Sequence, residues 1–422
     1  MYVGGNRRGV STMVLAAVVI AIVAVSGGAY AYYYYSSSNS TKVVTFGVVL
    51  PLSGALSQIG QATLSGYQIW VNYTNANGGI NIPGVGNHLQ IKLIVEDDAS
   101  QPSNAASMTK LLIIQDKVNG VLGGILTPDT DAMAPIMTQY QYPLIAEDAT
   151  VSTFTSGQYP YLFSTLNNPV HNPSGPFLSG LVKNYSLNNI AVLQSNEQDP
   201  ISVTATVLSQ IKQASPSAHV TWFNYTQGTS DFGPLLLGVK QLHPNLIYVS
   251  DEYAPEEIDL FRAMATDNVT ANVVASFDAF DGLQFNQALG NGIVGMLGMG
   301  TFASPAAPPS LYPTMWKNMV VQHLGASYLW NQFVFQAFMQ ISVMTQAYEQ
   351  TGQFTGPSVR SAIATSSYST PGGPWHPDST GMNAALVPFV VQYQLINGTV
   401  IPQIISGPYK TGSFIYPFPG WQ

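Results

Sequence analysis

The residues that could do chemistry in this chain are hydroxyls and carboxylates that follow short apolar runs. Thr127 follows residues 118–125, and Pro128-Asp129 opens the next helical pattern. A Thr before Pro suits a helix N-cap, and a helix N-terminus with free N–H groups also attracts a carboxylate. The cap alone and the cap beside an anion use the same geometry. Asp278 follows the run 273–276, and Tyr253 follows 246–249. Open α/β sheets bind ligands at such places, outside the carboxyl ends of their strands.

Other chemistries find little footing. Cysteine is absent, which removes thiolate nucleophiles, disulfides and Cys-based metal sites. The histidines His88, His171, His219, His243, His323 and His376 are scattered, and none forms H-x-x-x-H. Neither G-x-x-x-x-G-K-[ST] nor G-x-S-x-G occurs. Gly290-Asn291-Gly292-Ile293-Val294-Gly295 fits G-x-G-x-x-G, but a strand-like run follows it and no acid stands about 20 residues on. It reads as a turn before a strand. The pairs Asp97-Asp98 and Asp129/Asp131 are expected on solvated loops rather than as an acid/base dyad. No cofactor, metal or enzymatic activity is expected.

Composition narrows the class further. The 422 residues are 46% hydrophobic and 8% charged, against about 25% charged in typical soluble domains. A large core is available, and the surface must be polar but uncharged. Net charge is −8 with 13 Lys+Arg, which argues against nucleic acid.

The elements that must position these residues alternate. Strands are expected at 43–50, 89–95, 118–125 and 144–146, with helices at 57–73, 104–116 and 129–140 between them. A second set has strands at 190–193, 220–225, 246–249 and 273–276, with helices at 203–214, 232–242 and 255–266. Long helices at 330–351 and 357–366 and a strand at 387–395 follow. Strands separated by helices of about 10–15 residues imply parallel sheets built by right-handed crossovers. The fold class is therefore α/β, with two Rossmann-like lobes.

The N-terminus sets the compartment. Arg7 and Arg8 precede an uncharged run over 12–31. Twenty residues at about 1.5 Å rise span about 30 Å, a bilayer's hydrocarbon thickness. The arginines put the N-terminus inside, and Tyr30 and Tyr32 to Tyr35 stand where an aromatic belt belongs. The segment Arg7-Arg8-Gly9-Val10-Ser11-Thr12 resembles the type IV pilin-like (class III) signals of archaeal surface proteins, which are cut before the hydrophobic helix, here after Gly9. An uncut anchor and a removed secretory signal remain open beside it. The sequons Asn39, Asn72, Asn184, Asn224, Asn268 and Asn397 all lie beyond the apolar run, as an exported, glycosylated domain requires.

The remaining motifs bring a family into view. Phe46-Gly47-Val48-Val49-Leu50-Pro51-Leu52-Ser53-Gly54, Asn75-Ala76-Asn77-Gly78-Gly79-Ile80 and Leu89-Gln90-Ile91 are followed by Asp97-Asp98-Ala99-Ser100-Gln101-Pro102. Val121-Leu122-Gly123 and Gly373-Pro374 through Gly381 complete the series. In order and spacing over about 350 residues, the chain resembles the leucine/isoleucine/valine-binding type of solute-binding protein that serves ABC importers, the periplasmic binding protein fold type I. The resemblance implies two lobes joined by three hinge strands near 165–168, 298–302 and 378–385. Lobe 1 would hold 43–166 plus 302–380, and lobe 2 would hold 167–299 plus 385–410. Residues 1–35 would be the signal and membrane helix, 36–42 a Ser-rich spacer and 411–422 a tail.

The resemblance also implies the site. Thr127 and Thr150 match the hydroxyls that hold an amino acid's carboxylate. Asp278 matches the acid that holds its ammonium, and Tyr253 an aromatic that closes over the ligand. Ile59 stands where relatives often carry a cleft aromatic, Asp199 where many have Tyr, and Asp148 where a small residue is common. These departures weaken the case for a purely apolar ligand side chain and admit a polar or cationic solute. The expected protein is a membrane-anchored extracellular receptor that passes a small solute to ABC permease subunits. A surface filament and a sensor ectodomain are the alternatives.

Overall fold

In the computed structural model, the described residues are 43–421 except 148–150, 168–172, 252, 277–282, 301–305, 307–312 and 330. The expected membrane span at 12–31, Gly9 and Asn39 lie outside them. Among the described residues no helix is long and apolar enough to cross a membrane.

The first lobe grows from the β-branched run β1 (Val43–Leu50), whose Val44, Phe46, Val48 and Leu50 are buried. Then come α1 (Ser57–Ala76), β2 (Ile80–Ile82), β3 (Gly86–Asp97), α2 (Pro102–Ile114), β4 (Gly120–Leu122), α3 (Thr127–Tyr140) and β5 (Leu144–Ala146). The sheet order is β2-β3-β1-β4, with β1 parallel to β4. Strand β4 is shorter than the expected 118–125. Gly123 and Gly124 end it at φ 135° and 67°, which a side-chain-bearing residue would rarely adopt. The short α4 (Val151–Thr155) leads to β6 (Leu162–Ser164), which pairs in parallel with β5.

The second lobe continues with α5 (Ser174–Tyr185), β7 (Asn189–Ser195), α6 (Gln198–Ala214), β8 (His219–Tyr225), α7 (Gly233–Leu242), β9 (Leu246–Ser250), α8 (Ala254–Thr266), β10 (Val273–Ser276), α9 (Leu283–Leu289) and β11 (Leu297–Gly300). As expected, the glycine-rich segment before β11 is a turn, here a short 3-10 helix at Gly290–Ile293. The chain returns to the first lobe through α10 (Thr314–Leu324), α11 (Gln332–Thr351), α12 (Pro357–Thr365) and the hairpin β12 (Tyr368–Thr370) and β13 (Gly373–Trp375). It ends in β14 (Phe389–Ile396) and β15 (Thr399–Ser406), which complete a seven-stranded sheet of order β15-β14-β11-β10-β9-β7-β8.

The expected parallel strands run out to one edge of each sheet, at β4 and β8, and antiparallel strands lie at the other edge. Strand β2 runs against β3, and β11, β14 and β15 are antiparallel in turn. Asn397-Gly398, both at positive φ, joins β14 to β15. Such a two-residue turn makes a hairpin and is too short for a parallel crossover.

Helix α11 forms the spine of the first core. Asn331 caps it by accepting a bond from the Val334 N–H (3.3 Å), and Gly352 stops it at φ 69°. It buries residues on nearly every side against α1 and the sheet. The closest approach is at Gly66 of α1, where an added Cβ would stand 2.6 Å from the Val334 carbonyl oxygen. The residues after 410, set apart above as a tail, pack on the second lobe. Phe418 is buried there, and the Trp421 indole N–H donates to the Val269 carbonyl (2.7 Å).

Asn383, fully buried, holds together the segments where the chain leaves β6 and β13. Its backbone N–H donates to the Leu166 carbonyl (2.8 Å), and its side-chain amide donates to the Thr165 carbonyl (3.2 Å). Its side-chain oxygen accepts from the His376 and Ala385 N–H groups (3.1 and 3.0 Å).

Candidate functional site

The loop between β1 and α1 is clamped to the loop after β3. The Asp97 carboxylate accepts from the N–H groups of Leu52, Ser53 and Ala99 at 2.9, 3.1 and 2.8 Å. Although desolvation works against it, these bonds hold its carboxyl below the ordinary value. Ser100 donates its hydroxyl to the Ser53 carbonyl (2.8 Å) and accepts from the Leu56 N–H (3.1 Å). Ala55 and Leu56 are thereby fixed as a wall.

Behind that wall the first lobe buries acids. Of the pairs at 97/98 and 129/131, expected on solvated loops, Asp97 is exposed and Asp131 half-buried, but the structure corrects the expectation for Asp98 and Asp129. Asp98, beside the clamp, is 1% exposed, and Asp129, in the first turn of α3, is 4% exposed. Burial, with Asp97 alongside, pushes Asp98 up to about 6. Burial and the Asp98 charge push Asp129 up to about 7. Glu147, directly after β5, is also buried. With its nitrogen turned toward the carboxylate, the Gln336 amide of α11 donates to both Glu147 oxygens (3.2 and 2.8 Å). The nearby Tyr67 hydroxyl bonds Gln340. Burial and the Glu147 charge raise Tyr67 well above its ordinary range.

The second lobe presents a matching acidic end. Asp251, just after β9, is fully buried and accepts from the Tyr225 hydroxyl (2.6 Å) and the Tyr253 N–H (2.7 Å). Burial pushes it up to about 7 against those bonds. Glu256, in the first turn of α8, accepts from the Gly228 N–H (3.2 Å). Burial raises it as well.

Between the lobes lies a cavity of about 340 Å³. Ala55 and Leu56 face it from the first lobe, and residues 227–230, Tyr253 and Glu256 from the second. Tyr253 also packs against the hydrophobic core of the first lobe. One side chain of the second lobe therefore touches both bodies.

The residues singled out from the sequence are spread unevenly. Thr127 is buried at the cleft end of α3, but it occupies the first helical position. Leu126 is the cap residue, and no side chain caps the turn, so the expected N-cap role is corrected. The extended backbone at Leu126 (φ −126°, ψ 154°) sets the helix start one residue earlier than the Thr-Pro pattern suggests. Tyr253 caps α8 in extended conformation and lines the cavity. Ile59 is buried in the first core, while Ala55 and Leu56 just before it line the cavity. Asp199 falls in the first turn of α6, its side chain undescribed. Thr150, Asp148 and Asp278 lie outside the described residues. Nothing in the sequence singled out Glu147, Asp251 or Glu256. An acid directly after a fully apolar strand, as at Glu147 and near Asp251, was the available signal.

Comparison with known proteins agrees with this architecture. A family profile described as periplasmic binding protein matches residues 43–392. The leucine-, isoleucine-, valine-, threonine- and alanine-binding protein of Pseudomonas aeruginosa is 23% identical, over 76% of this chain and 82% of that protein. The Leu/Ile/Val-binding protein of Escherichia coli is 25% identical over 52% of this chain and 57% of its own length. Among solved structures, the branched-chain amino acid substrate-binding protein of Streptococcus pneumoniae in complex with isoleucine superposes with a TM-score of 0.69. It is 19% identical, over 89% of this chain and 100% of that one. A solute-binding protein of an ABC transporter from Rhodopseudomonas palustris, in complex with 3,4-dihydroxybenzoic acid, reaches a TM-score of 0.72. It is also 19% identical, over 88% of this chain and 98% of that one. With the profile running from β1 into β14, the chain belongs to the periplasmic binding protein family.

Proposed function

We propose that this protein is a non-catalytic receptor of an ABC importer that captures an amino acid between its lobes and hands it to permease subunits. The observation that carries this reading is the interlobe cavity, walled from both lobes, with Tyr253 of the second lobe seated on the first core. A ligand that touches both lobes stabilises their closed arrangement, which is what a hinge receptor requires. Asn383 and the segments it ties, near 165–168 and 378–385, serve as hinge strands beside the third crossing near 298–302. Several of the similar proteins are named as amino-acid-binding proteins and another as a solute-binding protein of an ABC transporter, which supports a receptor over an enzyme, a filament or a sensor.

Within the site, Thr127 and Thr150 receive the solute's carboxylate, Asp278 its ammonium, and Tyr253 covers it. Ile59, Asp148 and Asp199 shape the pocket around the side chain. The run at 12–31 anchors the receptor with its bulk outside the membrane, whether or not cleavage follows Gly9. The described sequons support a surface location, since Asn72, Asn184, Asn224, Asn268 and Asn397 are all exposed. A thermal-shift screen against the amino acids tests the reading. A binder raises the melting temperature by mass action. No shift with any amino acid at millimolar concentration would sink it.

A further inference from the structure

The interlobe cavity has a chemistry of its own. None of the described residues lining it is basic, while Glu256 and Asp259 both face it. Glu256 is 6% exposed. Its carboxylate accepts the Gly228 N–H and is also favoured by the Thr229 backbone N–H, while Oε1 has no hydrogen-bond partner within ordinary distance among the described residues. A carboxylate buried without a countercharge is costly unless a cation or further donors arrive. Arg262, at the exposed edge, is paired with Asp259 at 3.1 Å, the one salt bridge among the described residues.

We propose that this cavity receives a protonated amine of the solute with the Glu256 carboxylate as acceptor, so that the receptor selects solutes carrying a side-chain ammonium. The inference rests on the receptor reading and supplies its solute class. The wall fits an alkylammonium group. Leu56 offers apolar surface for a methylene stem, the Tyr253 ring offers a π face, and Thr229 and Ser230 add polar atoms. A second carboxylate placed here, as on a dicarboxylate solute, would meet like charge.

The surrounding groups give the site a pH dependence. Glu197, Asp251, Glu257 and Asp259 and the Tyr225 hydroxyl surround Glu256 from the second lobe, whereas Ala55 and Leu56 on the opposite wall do not titrate. Burial, reinforced by Glu197 and Asp259, raises Glu256, and Asp251 stands at about 7. A cation favours the charged carboxylate, so its binding releases protons and weakens on acidification.

Isothermal titration of the purified protein at pH 8 with L-lysine, putrescine and L-leucine tests the proposal. Lysine or putrescine should bind at least about tenfold more tightly than leucine, since a charge-assisted hydrogen bond contributes ~1.5–3 kcal/mol and ~1.4 kcal/mol is tenfold. Glu256→Gln should remove that preference. Leu56→Lys, which supplies an ammonium from the opposite wall, should weaken amine binding too, and it keeps the test open should Glu256→Gln fail to fold. Amine affinity should fall as the pH is lowered from 8. Tighter binding of leucine than lysine, an unchanged amine affinity in Glu256→Gln, or affinity rising on acidification would overturn the amine site and leave the receptor reading standing. Silence toward every amino acid and amine would overturn both.

Discussion

Replacing Asn383 by Ala should both loosen the crossing between the lobes and destabilise the fold. The side chain is fully buried and serves four main-chain groups. Its oxygen accepts from the His376 and Ala385 N–H groups, and its nitrogen donates to the Thr165 and Pro374 carbonyls (3.2 and 3.3 Å). Each buried group left unsatisfied costs about 1–3 kcal/mol. The His376 and Ala385 amides are half-buried, so they belong at the low end, and the buried Thr165 carbonyl nearer the middle. The expected loss is about 3–4 kcal/mol. Urea denaturation followed by tryptophan fluorescence reads it, because Trp375 is fully buried beside Asn383 and its indole N–H bonds the Ser164 carbonyl (2.8 Å). Because Asn383 ties two crossings, solute affinity should fall in the same variant. A loss under about 0.5 kcal/mol, equal to that of an exposed control such as Asn72→Ala, would refute the reasoning.

Two other outcomes follow from the same description. Asp98, Asp129 and Asp251 have folded values raised above the ordinary carboxylate range, to about 6, 7 and 7. The native state then binds more protons than the unfolded chain between about pH 4 and 7, so acidification through that window should stabilise the fold. The melting temperature should rise from pH 8 to pH 5, and a steady fall would contradict the buried-acid description. The exposed sequons at Asn72, Asn184, Asn224, Asn268 and Asn397 predict glycopeptides in protein taken from its native cells. Peptide mass spectrometry that finds all five unmodified would contradict a glycosylated surface receptor.

Much of the fold was legible because its strands are continuous apolar runs. Residues 43–50 and 273–276 needed no tertiary context to read as strands, and both have those bounds in the structure. Strands that depend on neighbours were not legible. Strand β15 carries Pro402, which weakens any strand pattern and is tolerated because β15 is a sheet edge. Strand β6 has three residues, too few for periodicity to show. The site was read less completely. Acids in a helix's first turn, such as Glu256, normally sit in water and favour the helix dipole. Only the packing of the 227–230 loop against α8 turns Glu256 into a buried cavity wall. Asp98 is another such case, buried where its N–H bonds the Leu50 carbonyl of β1 and its carboxylate accepts the Ser100 N–H.

The most direct test of a solute receptor is native mass spectrometry of the purified protein after incubation with an equimolar mixture of amino acids at pH 8. A receptor of the kind proposed should carry one small molecule per chain, with the mass of an amine-bearing amino acid. A spectrum of bare protein alone, under conditions gentle enough to keep a known binding protein loaded, would contradict it.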